Sequence, residues 1–191
     1  MRRQRNLLGP QGMGGMVSLW GASSLIKSVQ RGTFDLGAPA VTSGTATIAA
    51  VDLANSIITH TGKDYGGSSA TVYEIVTRLE LTNTTTVTFY INNAIAAGRI
   101  LGYEVIEFRP GVLKSSQRGT ISAAAASATA SITEVDVNKS LVFNLGHTSN
   151  FTTYQANTTF VRMALTNGTT VTEFEGGSIQ VTVGYQVAEF F

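Results

Sequence analysis

Two histidines, twelve carboxylic acids and no cysteine are the chain's main stock for acid–base or metal chemistry. His60 and His147 have no partner at metal-ligand spacing, so each reads as a surface loop residue. The missing thiols exclude disulfides and thiolate metal sites. A paired-carboxylate hydrolase would hold its two acids about 5 to 10 Å apart. Asp52 with Glu107, and Asp136 with Glu189, are the candidate pairs. Each falls at the start of one extended segment and the end of another, so a turn-capping Asp and a strand-end Glu fit better. Arg31 and Arg118, both in "QRGT", read as ties from a turn to backbone carbonyls rather than as anion ligands. "GGSSA" at 66–70 falls short of a G-x-S-x-G elbow, and "GMGGMV" at 12–17 lacks a dinucleotide loop's third glycine. The expectation is a chain that is not an enzyme, with no catalytic, cofactor-binding or metal residue and no cofactor.

Those acids and arginines recur because the chain repeats itself. "IKSVQRGT" at 26–33 returns as "LKSSQRGT" at 113–120, and "VDLANSII" at 51–58 as "VDVNKSLV" at 135–142. "RLELTNTTTVT" at 78–88 returns as "RMALTNGTTVT" at 162–172, and "GYEVIEF" at 102–108 as "GYQVAEF" at 184–190. Four blocks in one order, with a slowly shrinking offset, mark a tandem duplication. The repeat alignment sets His60 against Asn144 and His147 against Lys63, so neither histidine is a repeated feature. Residues 1–24 form an N-terminal arm, 25–108 copy one and 112–191 copy two, with "RPG" at 109–111 as a short turn-like linker.

The elements that must position these residues are strands. Tyr73, Ile75, Thr77, Leu79 and Leu81 alternate with Glu74, Val76, Arg78 and Glu80. Val161, Met163 and Leu165 alternate with polar or small residues in copy two. Ile179, Val181, Val183, Tyr185 and Val187 alternate with Gln180, Thr182, Gly184 and Gln186, which predicts a strand with one buried face. "ISAAAASATAS" at 121–131 has helical propensity, but its counterpart in copy one carries Gly37, Pro39 and Gly44, so both read as strands and loops. Asn167-Gly168 predicts a type I′ hairpin turn with positive φ at both residues, and Asn83-Thr84 a different or more strained one. The fold class expected is all-β: two tandem homologous antiparallel sandwich or barrel domains of about six to eight short strands each, after an extended arm.

Charge separates arm from body. Residues 1–34 hold five bases and no acid; the rest hold eight bases and twelve acids, and the whole sums to +1. Only 13% of residues are charged, and mean hydropathy is +0.14. Such a neutral, Thr-rich surface suits packing into an assembly. Gly9, Pro10, Gly12, Gly14 and Gly15 interrupt any signal-peptide core, and no stretch approaches a spanning helix, so no membrane association is expected. Arg2, Arg3 and Arg5 could touch phosphates, but the body has no basic stripe, so nucleic acid is not an expected partner. With Met13, Met16, Leu19 and Trp20, they read instead as a protein-docking arm. Asn-x-Thr triplets such as Asn83-Thr84-Thr85 and Asn157-Thr158-Thr159 match glycosylation acceptors, as chance predicts in so Thr-rich a chain.

The ordered set "QRGT", "VD-x-x-x-S", "R-x-x-LTN-x-TTVT" and closing "V-x-EF" resembles a β-module of structural proteins in tailed bacteriophages, over nearly everything after residue 24. The resemblance implies a non-enzymatic virion component: tail, neck, baseplate or fibre-associated, or alternatively a capsid decoration protein. It implies localisation in the virion after synthesis in the host cytoplasm. Its partners would be other virion proteins and copies of itself as a homo-oligomer. A carbohydrate-binding host-recognition module is the expectation from another class, with Tyr65, Tyr73, Tyr90 and Tyr154 as stacking candidates for a host surface glycan. Copy two has no Tyr at the places of Tyr65 and Tyr73 and has Glu173–Phe174 near that of Tyr90, which weakens a duplicated sugar site.

Overall fold

Among the described residues twelve strands form, and those at 78–83, 161–167 and 181–190 lie where the alternation predicted them. A computed structural model describes residues 24–36, 42–65, 76–92, 99–124, 126–149, 160–175 and 180–191. The strands are β1 (Ile26–Asp35), β2 (Ser43–Thr47), β3 (Ser56–Tyr65), β4 (Arg78–Asn83), β5 (Thr86–Tyr90) and β6 (Arg99–Phe108). They continue as β7 (Leu113–Ala123), β8 (Ser127–Ser131), β9 (Ser140–Ser149), β10 (Val161–Asn167), β11 (Thr170–Glu175) and β12 (Val181–Phe190). Short 3-10 turns, Leu53–Asn55 and Val137–Lys139, lead into β3 and β9. The Ala-rich stretch is strand and loop, as its small-residue counterpart implied. Tyr73, Ile75 and Ile179, the outer ends of two predicted alternations, lie outside the described residues.

Three antiparallel sheets have the orders β1-β6-β3, β10-β11-β8 and β2-β5-β4-β9-β12-β7. The long sheet is two halves joined at one residue pair, Arg78 with Gly146. The order β1-β6-β3 returns as β7-β12-β9, and β2-β5-β4 as β8-β11-β10. Registers return too: Gly32 pairs with Tyr103 and Gly119 with Tyr185. One core lies between β1-β6-β3 and β2-β5-β4, with Phe34, Ile58, Leu79, Val87, Phe89 and Leu101. Phe34 and Phe89 meet edge to face at 4.8 Å. A second joins Ile121, Val171, Tyr185 and Val187. A third, smaller cluster of Ile57, Leu113 and Ala188 spans the two halves of the chain.

Two local expectations are corrected. Among the described residues no non-glycine residue has positive φ, and Gly168 is not among the positive-φ glycines, so Asn167-Gly168 is not a type I′ turn. Both hairpins instead turn through the next pair, Thr84-Thr85 and Gly168-Thr169, with the preceding Asn closing the turn. Asn83 Oδ1 accepts from the Thr85 N–H at 2.9 Å, and Asn167 Oδ1 from the Thr169 N–H at 2.9 Å. Gly168 is small for space, since a Cβ there would stand 2.8 Å from the Val135 carbonyl oxygen. The second correction concerns β12: Gln186 and Ala188 are buried as well as Val181, Val183 and Val187. Its outward face is covered by the first repeat, which alternation within one strand does not reveal.

Candidate functional site

The repeated acids each organise a polar cluster. Lys27 Nζ donates to Glu107 Oε1 at 2.8 Å, Ser28 Oγ to Oε2 at 3.1 Å, and the Asp52 backbone N–H to Oε1 at 2.9 Å. The second repeat does the same with Lys114 at 2.7 Å, Ser115 at 3.3 Å and the Asp136 N–H at 3.0 Å, all on Glu189. Burial pushes the Glu107 carboxyl up, but Lys27, the Asp52 N–H and Ser28 outweigh it and hold it below its ordinary value. The Asp136 N–H and then Lys114 hold Glu189 down in the same way.

Asp52 and Asp136 aim their carboxylates at their own turns. Asp52 Oδ1 accepts from the Ala54 N–H at 2.9 Å, and Asp136 Oδ1 from the Asn138 N–H at 2.9 Å. Each Asp therefore meets its Glu through backbone, not as a carboxylate pair. In "QRGT", Gln30 exchanges two hydrogen bonds with the Ala49 backbone, as Gln117 does with Thr133. The glycine lets an aromatic ring lie across the strand: a Cβ at Gly119 would stand 2.6 Å from the Tyr185 hydroxyl, and one at Gly32 would collide with that of Tyr103.

The repeats part at the next residues. Arg31 Nε pairs with Glu104 at 2.6 Å on an open face. Arg118 instead donates to the Leu53 and Ser56 carbonyls at 2.8 and 2.5 Å, tying the second repeat to the first. Burial pulls its guanidinium down to about 10, so it remains a cation at neutral pH. Where copy one has Glu104, copy two has Gln186, fully buried. Its amide donates to the Ser56 carbonyl at 2.7 Å and to Ser116 Oγ at 2.8 Å, and accepts from the Ile58 N–H at 3.0 Å. The side chain caps the edge of β3 as a neighbouring strand would. A neutral amide offers both the donor and the acceptor this edge needs; a carboxylate would set a lone pair against the Ser56 oxygen.

A cleft of about 330 Å³ opens along this seam, lined by His60, Lys63, Thr77, Asn144, His147 and Phe160 among others. Neither histidine is the loop residue that the sequence suggested: His60 lies on β3 and the buried His147 on β9. His60 Nε2 stands 2.8 Å from the Leu145 carbonyl oxygen, so it donates to it. Burial lowers its pKa, the Leu145 carbonyl opposes this, and Lys63 lowers it further. That nitrogen is committed to the backbone and is not placed as a base. Leu145 reaches this position through a bulge at Gly146, whose φ of 81° and tight approach to the Thr77 carbonyl require glycine.

Gln186 and Glu173 were missed by sequence reasoning, though repeat comparison carries the signal for both. "TVTFYI" at 86–91 becomes "TVTEFE" at 170–175, so Glu173 and Glu175 stand where Phe89 and Ile91 fill a core. Glu173 is fully buried, and neither carboxylate oxygen has a hydrogen-bond partner among the described residues. Burial raises its pKa, Glu175 raises it further, and the Ala128 backbone opposes them. Among the sugar-stacking candidates, Tyr90 carries the Arg78 guanidinium 4.0 Å above its ring, and Phe174 carries that of Arg162 likewise at 4.0 Å. Tyr73, Tyr154 and the side chain of Tyr65 lie outside the described residues, as do Arg2, Arg3, Arg5, Met13, Met16, Leu19 and Trp20 of the arm. Among the described residues no group of three or more His, Asp or Glu could hold a metal ion, and no helix is long and apolar enough to cross a membrane. No family model, curated protein or solved structure matches this chain.

Proposed function

We propose that the chain is a structural, non-enzymatic component of a tailed-phage virion, built as two homologous β-sandwich domains in tandem and attached to its neighbours through residues 1–24. One observation carries this reading. The polar side chains that recur between the repeats hold backbone: Glu107 and Glu189 gather a Lys, a Ser and a backbone N–H, and Gln30 and Gln117 brace the same loop. A duplication that kept its scaffold residues in these roles kept a shape, and shape is what a repeating assembly selects. The low charge of the body supports close packing against other protein surfaces.

The test is incorporation. A chain lacking residues 1–24 and the full chain are supplied in turn to an infection in which the resident copy is deleted, and purified particles are assayed for each. The full chain enters particles; the truncated chain stays folded by circular dichroism but is absent from them. Equal incorporation of both would refute the docking arm. Absence of the full chain from particles would refute the virion role.

A further inference from the structure

The seam inside the chain is heterologous: an edge of the first repeat rests on a face of the second. The edge is β3 with its 3-10 turn, where Ser56 and Ile58 are fully buried and Ile57 is 6% exposed. The face is the outer side of β7 and β12, where Leu113 is 5% exposed and Gln186 and Ala188 are fully buried. A heterologous contact uses two different surfaces, and a duplicated chain carries a second example of each.

The second edge is open, and the second face is open along β1, with Glu104 and Ile106 of β6 half-buried beside it. The edge equivalent to β3 is the start of β9, where Leu141, at the place of Ile57, is 53% exposed, and Val137, at the place of Leu53, is 46% exposed. The Ser140 carbonyl and Val142 N–H occupy the register places of the Ser56 carbonyl and Ile58 N–H, and no described residue bonds them on that side. The face equivalent to β7–β12 is the outer side of β1 and β6. There Ile26, at the place of Leu113, is 40% exposed, and the Arg31 side chain is open to solvent.

The chemistry of the two open surfaces has changed as a pair. On the face, Gln186 is replaced by Glu104; on the edge, Asn55 is replaced by Lys139. Two neutral side chains, Gln186 in the seam and Asn55 on the turn that leads into it, thus have an anion as counterpart on the second face and a cation on the second edge. Arg31 keeps the donor role of Arg118 and can serve the Val137 and Ser140 carbonyls. Glu104 supplies an acceptor for the Val142 N–H and a partner for Lys139. Ile26 against Leu141 repeats the apolar contact of Leu113 with Ile57.

We propose that a second copy of this chain seats its 137–142 edge on the outer β1–β6 face, repeating between chains the seam that joins the repeats within one. The proposal rests on the assembly reading above and supplies its geometry: a head-to-tail contact, which gives a ring where the rotation closes and a filament where it does not.

Complementation tests it with full-length chain. Ile26→Asp blocks the face and Leu141→Asp blocks the edge, and both sites are exposed enough to leave the fold intact, which circular dichroism and thermal melting check. In sedimentation velocity the wild type associates beyond a dimer, and each variant alone is a monomer. An equal mixture gives a 1:1 heterodimer and nothing larger, because one intact face meets one intact edge. Should either substitution unfold the chain, Arg31→Glu for the face and Lys139→Glu for the edge replace them. A wild type that stays monomeric up to its solubility limit would overturn the contact, as would variants that self-associate like wild type or a mixture that remains monomeric. Particle incorporation is read in parallel: both variants entering particles normally, with a monomeric wild type, sinks the contact while the virion role stands.

Discussion

Glu104 and Gln186 occupy the same place in the two repeats, beside Arg31 and Arg118 in the same "QRGT" motif, yet they work differently. In the first repeat the pair is an ion pair on an open face, 2.6 Å long. In the second the arginine has left its neighbour for the Leu53 and Ser56 carbonyls, and the amide caps a strand edge. What differs is the covering. Glu104 is half-buried but pairs with the solvent-exposed Arg31, so a charge there is tolerated, whereas Gln186 is sealed against backbone that needs both a donor and an acceptor. The clusters around Glu107 and Glu189, set within each repeat, stayed alike. At this position divergence follows what each side chain touches outside its own repeat.

Exchanging the two side chains tests this most severely. Gln186→Glu sets an anion in a fully buried site against the Ser56 carbonyl and should cost about 3 to 5 kcal/mol in urea unfolding. Gln186→Ala strands the Ile58 N–H, while Arg118 still serves the Ser56 carbonyl, and should cost about 1 to 3 kcal/mol. Glu104→Gln removes only an exposed ion pair and should stay within about 0.5 kcal/mol of wild type. Equal costs at the two positions would mean that the seam does not distinguish them.

The clusters that stayed alike should respond alike. Glu107 and Glu189 have folded pKa values below their ordinary 4.5, so the stability they supply is present above that value and lost as pH falls through the folded values. Glu107→Gln and Glu189→Gln should each cost about 1 to 2 kcal/mol at pH 7. Each variant should also flatten the acid limb of a melting-temperature profile below about pH 4.5. Profiles that respond to one substitution and not the other would break the equivalence of the repeats.

The all-β character and strand positions were legible because alternation and the duplicated blocks are local properties of the sequence. The capping aspartates and strand-end glutamates were legible for the same reason, their partners lying in the same repeat. The histidines were misread because their surroundings belong to the other repeat: His60 meets the Leu145 carbonyl, 85 positions away. The turn lies one residue beyond the Asn-Gly expectation because the Asn side chain closes it, and that Asx bond overrides the backbone preference of the dipeptide. Gln186 was counted as the polar side of a one-faced strand, since no pattern within β12 announces that a second surface covers it.

Glu173 sharpens the comparison from inside a core. Its counterpart Phe89 packs on Phe34, whereas Glu173 is equally buried and finds no hydrogen-bond partner among the described residues. Its folded pKa is raised, by burial first and Glu175 second, so the sign is opposite to that of the strand-end glutamates. The group costs nothing at pH values below its ordinary pKa, where it is protonated folded or unfolded. The cost grows as pH rises from there toward the folded value, and is constant above it. Glu173→Gln should therefore stabilise the chain at pH 7 by on the order of 1 kcal/mol, a few degrees in Tm, and by nothing near pH 4. Thermal melts of both proteins across that range decide it. A gain independent of pH would trace the effect to packing, and a loss at pH 7 would show that the carboxylate is held in its charged form after all.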